Sequence, residues 1–171
     1  MSKIAKRVRL LKSKKGKKLS SDKIGAQFER DIFIGFYSVR KLIEAPTKVT
    51  DATRNMQVKV TNYMSLNKPV HHMNNHKIDE LYDLENAHQE IRNLPFVAGR
   101  IIHSFIFMPY VDETDRLDGI FFTSDTDKDK RIYSMKIDDV IDIFERVGND
   151  YPTKIFSFID LESGKMTTIV S

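Results

Sequence analysis

Cysteine is absent from the chain, which excludes disulfides, thiolate metal sites and a cysteine nucleophile, and makes a reducing cytoplasm the expected compartment. Tryptophan is absent as well, and glycine occurs only seven times in 171 residues. No stretch approaches the roughly 18 apolar residues of a membrane-spanning helix. The glycine-rich phosphate loops, the GxSxG elbow and HExxH are all missing, so no familiar cofactor or nucleotide loop is expected. There is no internal repeat.

Acidic residues are missing from the first 18 positions, where the cations concentrate. Lys3, Lys6, Arg7, Arg9, Lys12, Lys14, Lys15, Lys17 and Lys18 give this head nine positive charges. The whole chain carries +4, so the remainder carries −5. That asymmetry speaks about partners rather than fold. The basic start has no apolar core segment after it, so a secretory signal is not expected. It is Lys-rich rather than Arg- and Ser-rich, unlike a mitochondrial presequence.

Ile4, Val8 and Leu11 recur at helical spacing, which predicts a short basic amphipathic helix followed by a flexible KKGKK link. The expected organisation is an arm over 1–19 and one domain over 20–171. Four uses suit the arm: nucleic-acid backbone, an anionic membrane surface, an acidic face of its own body or of a partner protein, or a solvated tail. Three apolar side chains bury too little to anchor on lipid, whereas nucleic acid demands only phosphate density. The leading expectation is a nucleic-acid-associated binding protein that contacts RNA or DNA backbone through the nine head cations. No aromatic residue interleaves the run, so base stacking is not expected from it. A protein partner or a homodimer is the other partner class. Deleting residues 1–18 is expected to leave stability nearly unchanged.

Beyond the head, Ser20, Ser21 and Asp22 are candidate caps for a long helix through Ile24, Phe28, Ile32, Phe36, Val39 and Ile43, closed by Pro46. Gly35 inside it suggests close packing. Alternation in Met56–Tyr63 predicts a strand. HKIDELYDLENAHQEIRNL reads as a helix, and Pro95 opens another that runs to Phe105. GIFFTSD and RIYSMKI form a hairpin, Asp138 caps a helix ending at Gly148, and the C-terminal segment is a second hairpin turning at 162–164. The fold class is α+β: a single domain with a long central helix and three or four shorter helices on a small antiparallel sheet.

Three candidate sites stand out. His72 and His76, with Asp79 or Glu80, have first-row metal ligand types, but Asn74 and Asn75 favour a loop there and no metal is expected. Asp125, Asp127 and Asp129 copy half of a calcium loop, but Lys130 and Lys136 occupy the positions that need Gly and Glu, so a solvated turn is expected. Arg100 and His103 lie three apart in AGRIIHSFIF. His103 reads as a core or interface residue, or as a general acid–base group.

The segments YSVRKLIEA, HKIDELYDLE and IIHSFIF resemble small bacterial proteins with no assigned function, which implies no activity. The chain has a weaker resemblance to the HEPN ribonuclease superfamily, helical bundles with an Arg and a His four to six residues apart on one helix. Arg100 is three residues from His103 and Arg92 is eleven, so the motif is not matched. The enzyme alternative is accordingly a metal-independent ribonuclease using Arg100 and His103.

Overall fold

A computed structural model of the chain describes residues 1–13, 22–162 and 164–171. Thirteen elements follow in the order α1 (Ser2–Lys12), α2 (Asp22–Glu44), α3 (Asp51–Arg54), β1 (Gln57–Met64), α4 (Ile78–Leu81), β2 (His88–Asn93), α5 (Leu94–Ile102), β3 (Ser104–Val111), β4 (Leu117–Ser124), β5 (Arg131–Lys136), α6 (Ile137–Asn149), β6 (Ile155–Ile159) and β7 (Met166–Val170). Five strands form one antiparallel sheet in the order β2-β1-β5-β4-β3, and β6 and β7 form a separate two-stranded ribbon. The fold is α+β.

Strand alternation assigns the two sheet faces. Val58, Val60, Ile120, Phe122, Tyr133 and Met135 point to one side, where α1, α2, α5 and α6 cover them. Phe28, Ile32, Phe36 and Val39 supply the inner stripe of α2, as their spacing requires. Gly35 lies on that stripe beside Phe144 of α6, whose ring occupies the space a Cβ would need. On the opposite face, Val70, Ile78, Leu81 and Tyr82 of the β1–β2 connection pack over Ile106 and Ile132. Only part of that face is covered.

One expected helix gives way largely to a strand, and a second forms but ends early. Residues 77–94 hold one short helical turn, α4, and then β2. The Asp83 carboxylate accepts hydrogen bonds from the Asn86 backbone and side chain, turning the chain so that 88–93 pair with β1. The spacing of Ile78, Leu81, Leu84 and Ile91 satisfied a helical period, yet Ile91 is exposed on an edge strand. The helix from Pro95 stops at Ile102, and Ser104–Val111 form the opposite edge strand. An edge position suits Pro109, which has no N–H to donate to a ladder. Asp138 lies in the first turn of α6 rather than at its cap, which is Lys136. Both hairpins form in the expected places, and Gly164 turns the second with φ +65°. Of the candidate caps for α2, Ser20 and Ser21 lie outside the described residues.

The head helix forms over Ser2–Lys12, but it is not a detached arm. Ala5 and Val8 are fully buried, and Met1, Ile4 and Leu11 pack against the core. Residues of the head helix are therefore part of the hydrophobic core.

Candidate nucleic-acid interface

The polar side of α1 divides its charges between the body and solvent. Arg7 forms two hydrogen bonds to the Asp31 carboxylate, at 2.7 and 2.6 Å. Arg9 pairs with Glu145 at 2.8 Å, and Lys12 pairs with Asp138. Three head cations are thus matched by acids of α2 and α6, which explains part of the head's charge as a clamp on a mildly acidic body. Lys3 and Lys6 are exposed and have no acidic partner among the described residues. Lys14, Lys15, Lys17 and Lys18 lie outside the described residues.

The clamp ends beside the uncovered part of the sheet. Asp138 holds Lys12, and the next residue, Asp139, lines a cleft of about 510 Å³ on the open face. Lys59, Thr61 and Tyr63 of β1, Gln89 of β2, Tyr110 of β3, Phe121 of β4 and Ser134 and Lys136 of β5 complete the lining, with Met135. Register places them together: Thr61 faces Gln89 and Ser134, Phe121 faces Ser134, and Gly119 faces both Tyr110 and Lys136. Tyr110 lies across Gly119 in space any larger residue would fill, and its ring reaches Phe121 at 4.8 Å between centroids. Tyr63 meets Phe121 edge-on at 5.9 Å. The cleft thus has an aromatic floor with Lys59 and Lys136 at its rim.

Electrostatics modulate that rim. Lys136 bonds to Asp118, which raises its pKa, and its ammonium stands 5.8 Å from the centre of the Tyr110 ring. Partial desolvation pushes the Asp139 carboxyl up, and the charges of Asp138 and Asp142 push it further, against Lys59 and Lys136. Burial likewise raises the Tyr110 phenol, opposed by Lys136. At neutral pH the tyrosine is uncharged and able to donate a hydrogen bond.

The other sequence candidates fall elsewhere. Arg100 and His103 both line a cleft of about 370 Å³ with Arg40, Ser124 and Thr126. Arg100 pairs with Asp127 at 2.5 Å and stacks on Phe96 at 4.7 Å, while His103 is an exposed C-cap of α5 and not a core residue. His72 and His76 lie in turns rather than on one helical face. The His72 ring contacts Phe105 at 4.8 Å, and Glu80 pairs with Lys77. Among the described residues, no group of three His, Asp or Glu is placed to hold a metal ion. The aspartates of the half calcium loop are each engaged within the fold. Asp125 binds Lys128, Asp127 binds Arg100, and Asp129 accepts the Val70 N–H at 2.8 Å.

The aromatic cleft escaped sequence reading because its residues are scattered over five strands, one of which, β2, read as helix. The alternation in β3 of Ile106, Met108 and Tyr110 was the available signal. No family model matches the chain, and no curated protein or solved structure matches it. No described helix is long and apolar enough to cross a membrane.

Proposed function

We propose that the protein binds single-stranded nucleic acid, with phosphates on the exposed cations of the head and a base against the aromatic floor of the sheet cleft. The observation that carries this reading is the cleft itself, where Tyr63, Tyr110 and Phe121 form the floor and Lys59 and Lys136 stand at the rim. Positive charge and stacking surface are thus combined on the open face of the sheet. Base–aromatic stacking contributes about 1–3 kcal/mol per base and tolerates any base. Phosphate contacts supply the remaining affinity without sequence information. Duplex DNA, whose bases are already stacked, is the poorer ligand.

Fluorescence anisotropy with labelled 12-nucleotide single strands and the matching duplex, at 50 and 200 mM salt, tests this. The expected result is preferential single-strand binding with log K falling against log salt at a slope near −3.5, for about five phosphate contacts. Lys3→Ala with Lys6→Ala should flatten the slope by about 1.4, and Tyr110→Ala should weaken binding about 5- to 100-fold. Absence of binding to any nucleic acid at 50 mM salt would defeat the proposal.

A second reading rests on Arg100 and His103 sharing one cleft. It is a metal-independent ribonuclease, and it requires RNA cleavage that disappears in His103→Ala while the fold stays intact.

A further inference from the structure

The two edges of the five-stranded sheet are unlike. β3 carries Pro109 and two breaks in register, after Ser104 and after Tyr110, which guard it against edge-to-edge pairing. β2 has no proline and no break, and pairs with β1 in one register over six residues. Its other side is uncovered. Residues 85–89, Ile91 and Asn93 are exposed, Ile91 at 70%.

The ladder with β1 fixes where the backbone groups of this edge point. Leu94 donates to the Met56 carbonyl at 3.0 Å, so the hydrogen-bonded pairs with β1 fall on the alternate residues Arg92, Glu90 and His88. Gln89 and Ile91 therefore turn both N–H and C=O to the free side, and Asn93 turns its N–H there. Among the described residues, no further strand or loop backbone pairs with these groups. Side chains alternate in the same way. Gln89 and Ile91 stand on the open face opposite Thr61 and Lys59, and Glu90 and Arg92 on the covered face opposite Val60 and Val58.

This edge is complementary to itself in one antiparallel register. A pairing centred on Glu90 or on Arg92 sets like charges face to face, and one centred on Gln89 leaves Arg92 opposite Asn86. A pairing centred on Ile91 sets Glu90 opposite Arg92 of the other copy, twice, and Ile91 opposite Ile91. Glu90 and Arg92 already pair within the strand at 2.9 Å, and the second copy adds an opposite charge beside each without separating them. We infer that the protein dimerises through β2, joining two sheets into one of ten strands across a twofold axis at Ile91. The Ile91 pair exchanges two backbone hydrogen bonds, and each Asn93 N–H meets the Gln89 carbonyl of the other copy. The same patch serves both chains, so the assembly closes at two. A seam of this size lies below about 1,200 Å², so the dimer is weak and forms at about 10–100 µM. The seam is measured without nucleic acid, so its failure and that of the binding proposal are distinct.

Sedimentation equilibrium of the full chain from about 5 to about 300 µM should give a mass that rises from 19.9 kDa toward twice that value. The Ile91 N–H takes no part in the β1 ladder, so Ile91→Pro should keep the fold, which circular dichroism checks, while removing both central hydrogen bonds and weakening association about 10-fold or more. The chain has no cysteine, so single cysteines report the register. Two Ile91 Cα atoms would lie about 5.5 Å apart, within disulfide reach, whereas two Gln89 Cα atoms would lie about 13 Å apart. Under mild oxidation Ile91→Cys should link to itself and Gln89→Cys, equally exposed, should not. A wild type that remains monomeric at the highest concentration overturns the inference. So does a dimer indifferent to a folded Ile91→Pro, or equal cross-linking of the two cysteine variants. If Ile91→Pro unfolds, the cysteine pair decides alone.

Discussion

Arg7 donates from Nε and Nη2 to the two carboxylate oxygens of Asp31, a residue only 1% exposed that also accepts a hydrogen bond from the Gln27 side chain at 2.9 Å. The fork geometry of Arg suits this bidentate contact, and Lys would not reproduce it. Removing Arg7 strands a buried anion. Arg7→Ala should lower unfolding free energy by about 2–3 kcal/mol, with Arg7 half exposed and the loss moderated accordingly. Arg7→Met combined with Asp31→Leu should recover most of it. Urea unfolding of the wild type, the two single variants and the double variant measures the coupling.

Deleting residues 1–13 should destabilise the domain, against the sequence-based expectation that the head is dispensable. The deletion uncovers the apolar surface of α2 and α6 that Ala5 and Val8 bury, and removes three ion pairs with them. A melting temperature lower by several degrees or more is expected from losing one layer of core. An unchanged melting temperature would mean that the helix docks without contributing stability.

Gly35→Ala should cost about 1–3 kcal/mol, because the new methyl overlaps the buried ring of Phe144 in a close-packed core. The usual gain in helix propensity, about 1 kcal/mol, is too small to reverse the sign. Gly35→Ala with Phe144→Leu should recover part of the loss, and thermal unfolding of both variants decides it.

His103→Ala should change stability by no more than about 0.5 kcal/mol, since the ring is exposed at the end of α5. This replaces the larger effect that a buried histidine would produce. Thermal melts settle it, and the same variant serves the ribonuclease test.

Asp139→Asn should tighten single-strand binding about 2- to 5-fold at pH 7 by removing one repulsive charge from the cleft wall. The sign with pH follows from the raised carboxyl. Asp139 takes up a proton earlier than an ordinary aspartate as pH falls, so wild-type binding should strengthen through that pKa and the advantage of the variant should shrink. Anisotropy titrations of both proteins from pH 7 down to pH 5 measure it.

Legibility tracked the range of the forces involved. The helical faces of α1, α2 and α6 and both hairpins were readable because apolar period and turn residues are local. Close packing at Gly35 was readable for the same reason. The strands β2 and β3 were not, because residues such as Gln89, Glu90 and Ile91 fit a helix locally and only pairing with β1 decides against it. The role of the head was half readable. Nine cations were plain, but Asp31, Glu145 and Asp138 lie 24, 136 and 126 residues from their partners, and no local pattern joins them. Arg100 and His103 were found as a pair, but the use of Arg100 by Asp127 and Phe96 was invisible without the fold.

The seat of α1 has a consequence during synthesis. Its ion pairs with α6 span more than 120 residues, so α1 cannot complete its docking until α6 has emerged from the ribosome. At 5–20 residues per second that delay is roughly 6–25 s. During this interval the nascent chain presents a basic helix while its acidic partners on α6 are still untranslated. Closure of the core is therefore a late, long-range event, and folding should be slow for a chain of this size.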